Sequence, residues 1–315
     1  MHVIVVGAGL AGLTAATDLV AARHQVTVFD KGRGPGGRMA TRRIGAATLD
    51  HGAQFFTVRS DEFGARIAPH LTNGLVFEWC RGFSTNGDGY PRYAVRGGMN
   101  ALAKTMAAGL DVRCDSLVFA IREGVDKAWS VMIDDGSAVE ADAIVVTCPL
   151  PQTYSLLMAA GVTLPESLVR VDYDRTIAAL ITLTGSASVQ EPGGAQNPTD
   201  ALSFVVDNQR KGVSSAPALT VHANADWSQR HWDDALADLA VALAHESAPF
   251  TGSAATIEIQ IKKWRFATPR SVWSEPCWIA PDVRGPLIVA GDAFAGPKVE
   301  GAVLSGAAAA AVLLA

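Results

Sequence analysis

Cysteine is scarce: there are four in 315 residues, Cys80, Cys114, Cys148 and Cys277. They form neither a CxxC nor a His/Cys cluster at metal-ligand spacing, which excludes a zinc site and a disulfide framework and leaves ordinary reduced thiols as the expectation. Basic runs are missing too. Lys and Arg number 26 against 31 Asp and Glu, a formal charge of -5. The electrostatic footprint of a nucleic-acid binder or a polybasic membrane anchor is therefore lacking, and a small molecule is the expected partner. Long apolar runs are absent as well. Residues 3–6 are broken at once by Gly7, Gly9 and Gly12 and have no basic region before them, so they are read as a strand and not as a signal peptide. The alanine-rich residues 306–315 are about half of the ~20 needed to span a bilayer; they are read as a helix packed closely on a sheet, and a cytoplasmic address is expected. Low-complexity tracts are not found either: the 30 Gly and 15 Pro are scattered through a chain that is 49% hydrophobic and 18% charged, the composition of a folded enzyme. At this length two lobes are expected in place of one core.

What is present begins at the second residue. His2-Val3-Ile4-Val5-Val6 is the continuous β-rich run of a parallel strand buried on both faces, and it feeds into Gly7-Ala8-Gly9-Leu10-Ala11-Gly12. Gly7 permits the tight turn, Gly9 admits a pyrophosphate to the backbone, and Gly12 lets the following helix lie against the strand. The helix, expected over residues 13–22, turns free N–H groups toward phosphate. A second strand over residues 25–29 ends in Asp30, whose carboxylate suits both hydroxyls of an unphosphorylated adenosine ribose. Arg23 stands where the turn between helix and strand would often carry Gly.

The next stretch, Asp30-Lys31-Gly32-Arg33-Gly34-Pro35-Gly36-Gly37-Arg38-Met39, resembles the Gly-Gly-Arg loop of the flavin amine oxidase superfamily. The resemblance implies FAD in preference to NAD, with the paired glycines allowing close approach and Arg38 offering charge-assisted hydrogen bonds. Near the C-terminus, a strand over residues 286–290 runs into Gly291-Asp292, and Glu300-Gly301-Ala302 enters the alanine-rich helix, in the order of the closing FAD motif of the same superfamily. By that likeness Asp292 lies beside the ribityl and pyrophosphate. The N–H groups opening the last helix would then face the flavin N1–C2=O edge, where a helix dipole stabilises the anionic reduced ring. The likeness also places the Val118 backbone against the adenine. Residues 143–149 read as a further parallel strand.

Nucleotide-binding pieces at the start, middle and end imply an α/β fold with a discontinuous Rossmann-type FAD-binding domain, residues 1–56, 98–155 and 284–315. A second substrate domain on a mixed β-sheet takes residues 57–97 and 156–283. Strands are expected around residues 177–184, 201–206, 218–223 and 256–261, with a helix over 233–245 and a loop over 185–198.

Over nearly its full length the chain is similar to renalase-like proteins. The likeness is carried by Asp50-His51-Gly52-Ala53-Gln54-Phe55-Phe56-Thr57, Gly98-Met99, Pro149 with Pro151-Gln152, Asp207-Asn208, His222 with Trp227-Ser228, and Lys263-Trp264-Arg265. It implies a noncovalent FAD and an oxidase of 2- or 6-dihydro-NAD(P), giving NAD(P)+ and hydrogen peroxide with O2 as acceptor. Hydride transfer of this kind needs alignment but no acid/base pair. Gln54 and Trp264 are substrate-side candidates, Gln54 equally readable as a hydrogen-bonding core residue and Trp264 more readily read as core, and Ala53 with Gln54 is expected beside the flavin. Lys262 and Lys263 raise the alternative of an amine oxidase or desaturase, whose family places a lysine near flavin N5. A non-catalytic dinucleotide-binding redox sensor is the alternative from another class. His51, His222 and His231 read as structural histidines.

Overall fold

The computed structural model describes residues 1–83, 89–294 and 296–315, and elements are numbered along the chain. Two compact units are resolved: Met1–Gly37, Ala103–Asp172 and Pro269–Ala315 form the first, Arg38–Leu102 and Tyr173–Thr268 the second. The boundary falls inside helix α3 (Asn100–Ala107).

In the first unit, β1 (His2–Val6) is buried at every position and lies at the centre of a six-stranded sheet. On one side β2 (Gln25–Phe29) and β7 (Asp111–Arg113) pair parallel; on the other, β11 (Ala143–Val146) and β18 (Leu287–Val289) do the same, and β17 (Trp278–Ile279) closes the edge antiparallel. A β-branched run without alternation is what a strand covered on both faces requires. Helix α1 (Leu10–Ala21) connects β1 to β2. The alanine-rich C-terminal helix α8 (Lys298–Leu314), expected against a sheet, has α1 as its main neighbour. A Cβ on Gly306 would stand 2.1 Å from the Ala11 carbonyl oxygen, so the two helix backbones touch, which is what the run of small residues permits. The unit is completed by an antiparallel sheet of β8 (Val118–Glu123), β9 (Trp129–Ile133) and β10 (Ala138–Ala141), and by helices α4 (Leu150–Met158) and α5 (Glu166–Val169).

Arg23 closes α1 with a left-handed φ of 66°. Its N–H donates to the Val20 carbonyl (2.9 Å), and that of His24 to the Leu19 carbonyl (3.0 Å), the two bonds of a Schellman cap. Since a Cβ is disfavoured in this conformation, exposed Arg23→Gly is expected to raise stability by up to about 1 kcal/mol in urea unfolding. An unchanged or lower midpoint would show that the strain is relieved elsewhere.

The second unit is built on a five-stranded sheet in the order β13 (Gly194–Gln196), β14 (Leu202–Asp207), β15 (Ala218–Ala223), β12 (Tyr173–Leu183) and β16 (Thr256–Pro269). Period-2 alternation splits it into two faces. Ile177, Ala179 and Ile181 of β12, with Leu219 and Val221 of β15, form an apolar core with Leu239 and Leu243 of α7 (Leu236–Thr251) and Trp227 of α6 (Ala225–Arg230). On the other face Leu180 and Ala218 meet Ile44, Ala47 and Leu49 of the hairpin β3 (Thr41–Ile44) and β4 (Ala47–Asp50). Helix α2 (Asp61–Thr72), N-capped by Ser60, and the hairpin β5 (Val76–Cys80) and β6 (Arg92–Val95) belong to the same unit.

The structure differs from the sequence expectation in one loop, in the extent of α7 and β16, and in how the chain is divided. A short strand, β13, lies within residues 185–198, where a loop is expected, because its backbone pairs with β14. Residues 38–56 and 98–102, which the motif order assigns to the nucleotide-binding piece, pack within the second unit, where the β3/β4 hairpin covers that unit's sheet and Asp50 accepts the Met99 N–H, while residues 156–172 and 269–283, expected in the substrate piece, pack within the first. No helix among the described residues is long and apolar enough to cross a membrane.

Candidate functional site

At the end of β1 the chain turns through Gly7 (φ 109°) into α1. Gly9 is the N-cap and carries no side-chain cap. The first intrahelical bond runs from the Leu13 N–H to the Gly9 carbonyl (2.9 Å). The N–H groups of Leu10, Ala11 and Gly12 therefore precede the ladder, at the positive end of the helix dipole. A Cβ on Gly9 would meet no atom within 4 Å, whereas one on Gly12 would stand 1.9 Å from the Gly7 carbonyl oxygen. The turn is thus tight beneath and open above. The Gly36 N–H donates to the Ala8 carbonyl (2.8 Å), bringing the Gly-Gly loop beside the turn, with a Gly37 Cβ position 3.6 Å from the Gly9 Cα. Asp30 ties the two together: its carboxylate accepts the Ala8 N–H (2.7 Å) and the Gly32 N–H (2.6 Å). Each oxygen keeps acceptor capacity for a ribose hydroxyl. An uncapped helix start under a cradle that a side chain would fill is what a pyrophosphate needs, so these residues fit the ADP half of FAD. Lys31 is exposed beside this loop, and Met39 is buried beyond it.

The C-terminal candidates lie in the same unit. Beyond β18, Gly291 (φ 145°) donates its N–H to Ser305 Oγ of α8 (2.8 Å), and Asp292 follows, buried. Helix α8 opens after Pro297 without a side-chain cap, with Glu300 in its first turn. A Cβ on Gly301 would fall 1.7 Å from the Gly296 carbonyl oxygen, so the helix entrance is wound tightly on the preceding loop. Ala302 is half-buried, and Val118 is buried at the start of β8.

The second unit holds the other candidates around a buried ion pair. Lys211 Nζ lies 2.9 Å from Asp50 Oδ2, with both side chains at 0% exposure. Asp50 Oδ1 accepts the Thr41 hydroxyl (2.6 Å) and the Met99 N–H (2.7 Å). The Asp50 carbonyl accepts the Thr220 hydroxyl (2.8 Å) and the Gln54 amide (2.7 Å), whose other hydrogen goes to the Gly52 carbonyl (3.1 Å). Asn208 Nδ2 donates to the Thr220 hydroxyl (3.0 Å). Burial pulls the Lys211 ammonium below its ordinary range, opposed by the charge of Asp50 and its hydrogen bond. Gln54 is thus spent on its own loop. That loop also pairs with the Gly-Gly-Arg segment: Ala53 N–H to Arg38 carbonyl is 2.8 Å and His51 N–H to Ala40 carbonyl 3.0 Å. Arg38 itself reaches the Ala267 carbonyl (3.3 Å). Beyond the loop, Phe55 enters an aromatic cluster with Trp79, Phe83 and Phe204, ring centroids 5.2 to 6.3 Å away.

Trp264 donates its indole N–H to the His51 carbonyl (2.7 Å) and stacks on the His51 ring at 5.3 Å and 23°. The His51 imidazole is pushed down to about 3, first by burial and then by the charges of Arg42 and Lys262. Burial takes His222 down to about 4 against a hydrogen bond to the His51 backbone, so both rings are neutral near pH 7. Alternation along β16 separates the two lysines. Lys262 Nζ lies 5.2 Å from the Trp264 ring centroid, whereas Lys263 donates to the carbonyls of Trp232 (2.5 Å) and Asp234 (2.9 Å) on the α7 side. His231 pairs with Asp234 at 2.7 Å and stands apart from the cluster. Sequence reasoning missed Lys211 and the role of Asp50 as its partner; a lysine after Asp207-Asn208 carries no local mark of burial.

A phosphate cradle at the first turn of a parallel α/β sheet, with a second sheet unit carrying a buried polar cluster, defines a dinucleotide-dependent enzyme class. A model of the NAD(P)-binding Rossmann-like domain matches residues 5–68, and one of flavin containing amine oxidoreductases matches residues 72–314. The chain belongs to the flavin containing amine oxidoreductase family and is an FAD-dependent oxidoreductase. Mouse (Mus musculus) renalase is 23% identical over 330 residues, covering 96% of each chain. Hydroxyneurosporene desaturase of Rubrivivax gelatinosus is 47% identical, but over 76 residues only, 22% of this chain and 14% of that protein. Among solved structures, a putrescine oxidase bound to putrescine superposes with a TM-score of 0.73 at 16% identity, covering 100% of this chain and 99% of the other.

Proposed function

We propose that the protein is an FAD-dependent oxidase of isomeric dihydronicotinamide dinucleotides, converting 2- or 6-dihydro-NAD(P) to NAD(P)+ with O2 reduced to hydrogen peroxide. The observation that carries this reading is the likeness to renalase across 96% of both chains, against a desaturase likeness confined to 76 residues. When bound, noncovalently, FAD would supply the hydride acceptor and a route for the electrons to O2.

The chain's own contribution is binding and alignment. The Gly7 to Gly12 turn and the start of α1 take the pyrophosphate, Asp30 takes the ribose, and Asp292 with the start of α8 serves the flavin end. In the second unit, residues 51–54 pair with the Arg38 backbone, Ala53 and Gln54 being assigned to the cofactor by the family likeness, and Trp264 on His51 offers a flat aromatic wall to a nicotinamide, with Lys262 beside it. Three features fit a hydride transfer that needs no acid/base pair: two neutral histidine rings, a Gln54 amide engaged with backbone carbonyls, and a Lys263 ammonium held by two more.

Anaerobic mixing of the yellow protein with 2- and 6-dihydro-NAD and -NADP is expected to bleach the flavin within one turnover, and air is then expected to restore the colour with release of peroxide. An unbleached flavin refutes the reading. Peroxide from an amine panel without any reaction toward dihydronicotinamides would carry the amine oxidase reading, and a flavin that no donor reduces would carry the redox-sensor reading.

A further inference from the structure

The pair of Asp50 and Lys211 has no part in the transfer described above, yet it is retained at 0% exposure on both side chains. A buried ion pair is weak evidence for stability, since desolvation of the two charges commonly cancels their attraction. Its contacts show what it holds. From the Asp50 carboxylate, bonds run to Thr41 on β3, to the Met99 N–H and to Lys211. From the Asp50 carbonyl, they run to Thr220 on β15 and to Gln54. The other amide hydrogen of Gln54 goes to Gly52, and Lys211 Nζ stands 3.5 Å from Gln54 Oε1. Several of the polar contacts that fix the path from Asp50 to Gln54 thus meet at Asp50 and Lys211. Residues 51 and 53 in turn hold Ala40 and Arg38 through backbone bonds, and a Cβ on Gly52 would fall 1.9 Å from the Arg38 carbonyl oxygen, so this loop is packed directly on the Arg38 backbone.

We propose that Lys211 is a positioning residue: by anchoring the Asp50 carboxylate it holds residues 50–54, and through them the Arg38 backbone, in the conformation the reaction requires. The proposal rests on the reading, drawn from the family likeness, that Ala53 and Gln54 contact the cofactor. Lys211 touches no reacting atom; it acts through Asp50 and Gln54. Removing its charge leaves a carboxylate stranded in the core, which Asp50 relieves by moving toward solvent, and that change loosens the Gln54 anchor.

The test uses the holoenzyme as Lys211→Met, Asp50→Asn and the double variant, read by the visible spectrum and reduction potential of the bound flavin, by hydrogen exchange over residues 50–56, and by the anaerobic rate of flavin reduction with a dihydronicotinamide dinucleotide. Lys211→Met is expected to keep FAD and to shift the flavin spectrum or potential, with faster exchange in the loop. Its reduction rate is expected to fall by roughly tenfold or more at near-constant substrate Kd, since misplacement of about 1 Å can cost about a hundredfold. The double variant is expected to be no slower than the slower single, as for residues acting through one another. A wild-type spectrum, potential and rate in Lys211→Met, or additive effects in the double variant, overturn the proposal. If Lys211→Met does not fold, the charge-free double variant decides, and wild-type behaviour there overturns it. A wild-type flavin that no dihydronicotinamide reduces refutes the substrate reading instead, while spectrum, potential and exchange still judge Lys211.

Discussion

Gly9→Ala is expected to give a folded but colourless protein, whereas Gly12→Ala is expected to fold poorly. The difference follows from where each added methyl goes. Gly9 has φ of -76° and ψ of 177°, which any residue adopts, and a Cβ there meets no atom within 4 Å. Alanine at this uncapped position costs about 1 kcal/mol at most. The methyl does occupy the space over the helix start through which a pyrophosphate must approach the Leu10, Ala11 and Gly12 N–H groups. FAD affinity is expected to fall by about a hundredfold or more, roughly 3 kcal/mol. At Gly12 the methyl stands 1.9 Å from a backbone oxygen of Gly7, which has no side-chain freedom to yield. Strand and helix must separate, at an expected cost of about 3 kcal/mol or more, the upper range for overpacking. The ratio of flavin to protein absorbance and a thermal melt of each variant measure the two effects separately. A Gly9→Ala protein that purifies yellow with stoichiometric FAD would show that the cofactor does not lie over this turn.

That contrast was half legible in the sequence. The motif from β1 through Asp30 closes within thirty residues, and its contacts are local: a strand, a turn, a helix start and the acid that caps the turn from the next strand. Its geometry follows from covalent constraints on glycine and from helix termini, both of which can be read from residue order. The same holds for the faces of β16, where alternation alone separates Lys262 and Trp264 from Lys263. Asp50 and Lys211 are different. They lie 161 residues apart, and nothing near either one distinguishes a buried ion from the solvated charge that a lysine ordinarily carries. For the same reason, the sequence could leave Gln54 only as a choice between substrate contact and core. What decides its state, two carbonyls and an ammonium converging on one amide, depends on a chain path that the sheet sets up. The unit boundary at Gly37 and Arg38 was hidden in a similar way, because the hairpin after it packs on β12 and β15, more than 120 residues further along the chain.

The protein is expected to lose stability steeply as pH falls from about 6.5 toward 4, and His51 is expected to be a main cause. Its imidazole sits near 3 and that of His222 near 4 in the folded chain, whereas both return to about 6.5 on unfolding. Between these values the unfolded state binds protons that the folded state refuses. The stabilisation is therefore complete above about pH 6.5 and is lost as pH drops through the window, by on the order of 1 kcal/mol per pH unit for each ring. His51 is 6% exposed, lies under Trp264, and has Arg42 and Lys262 adding repulsion to the cost of burying its charge. His51→Phe keeps a flat ring against Trp264 but cannot titrate. Urea unfolding at pH 7, 6 and 5 is expected to show wild-type stability falling by several kcal/mol over this range, with a slope in His51→Phe shallower by about one proton. An equal slope in both proteins would mean that the His51 ring accepts its proton in place, and the neutral aromatic wall assigned to the nicotinamide would have to be withdrawn with it.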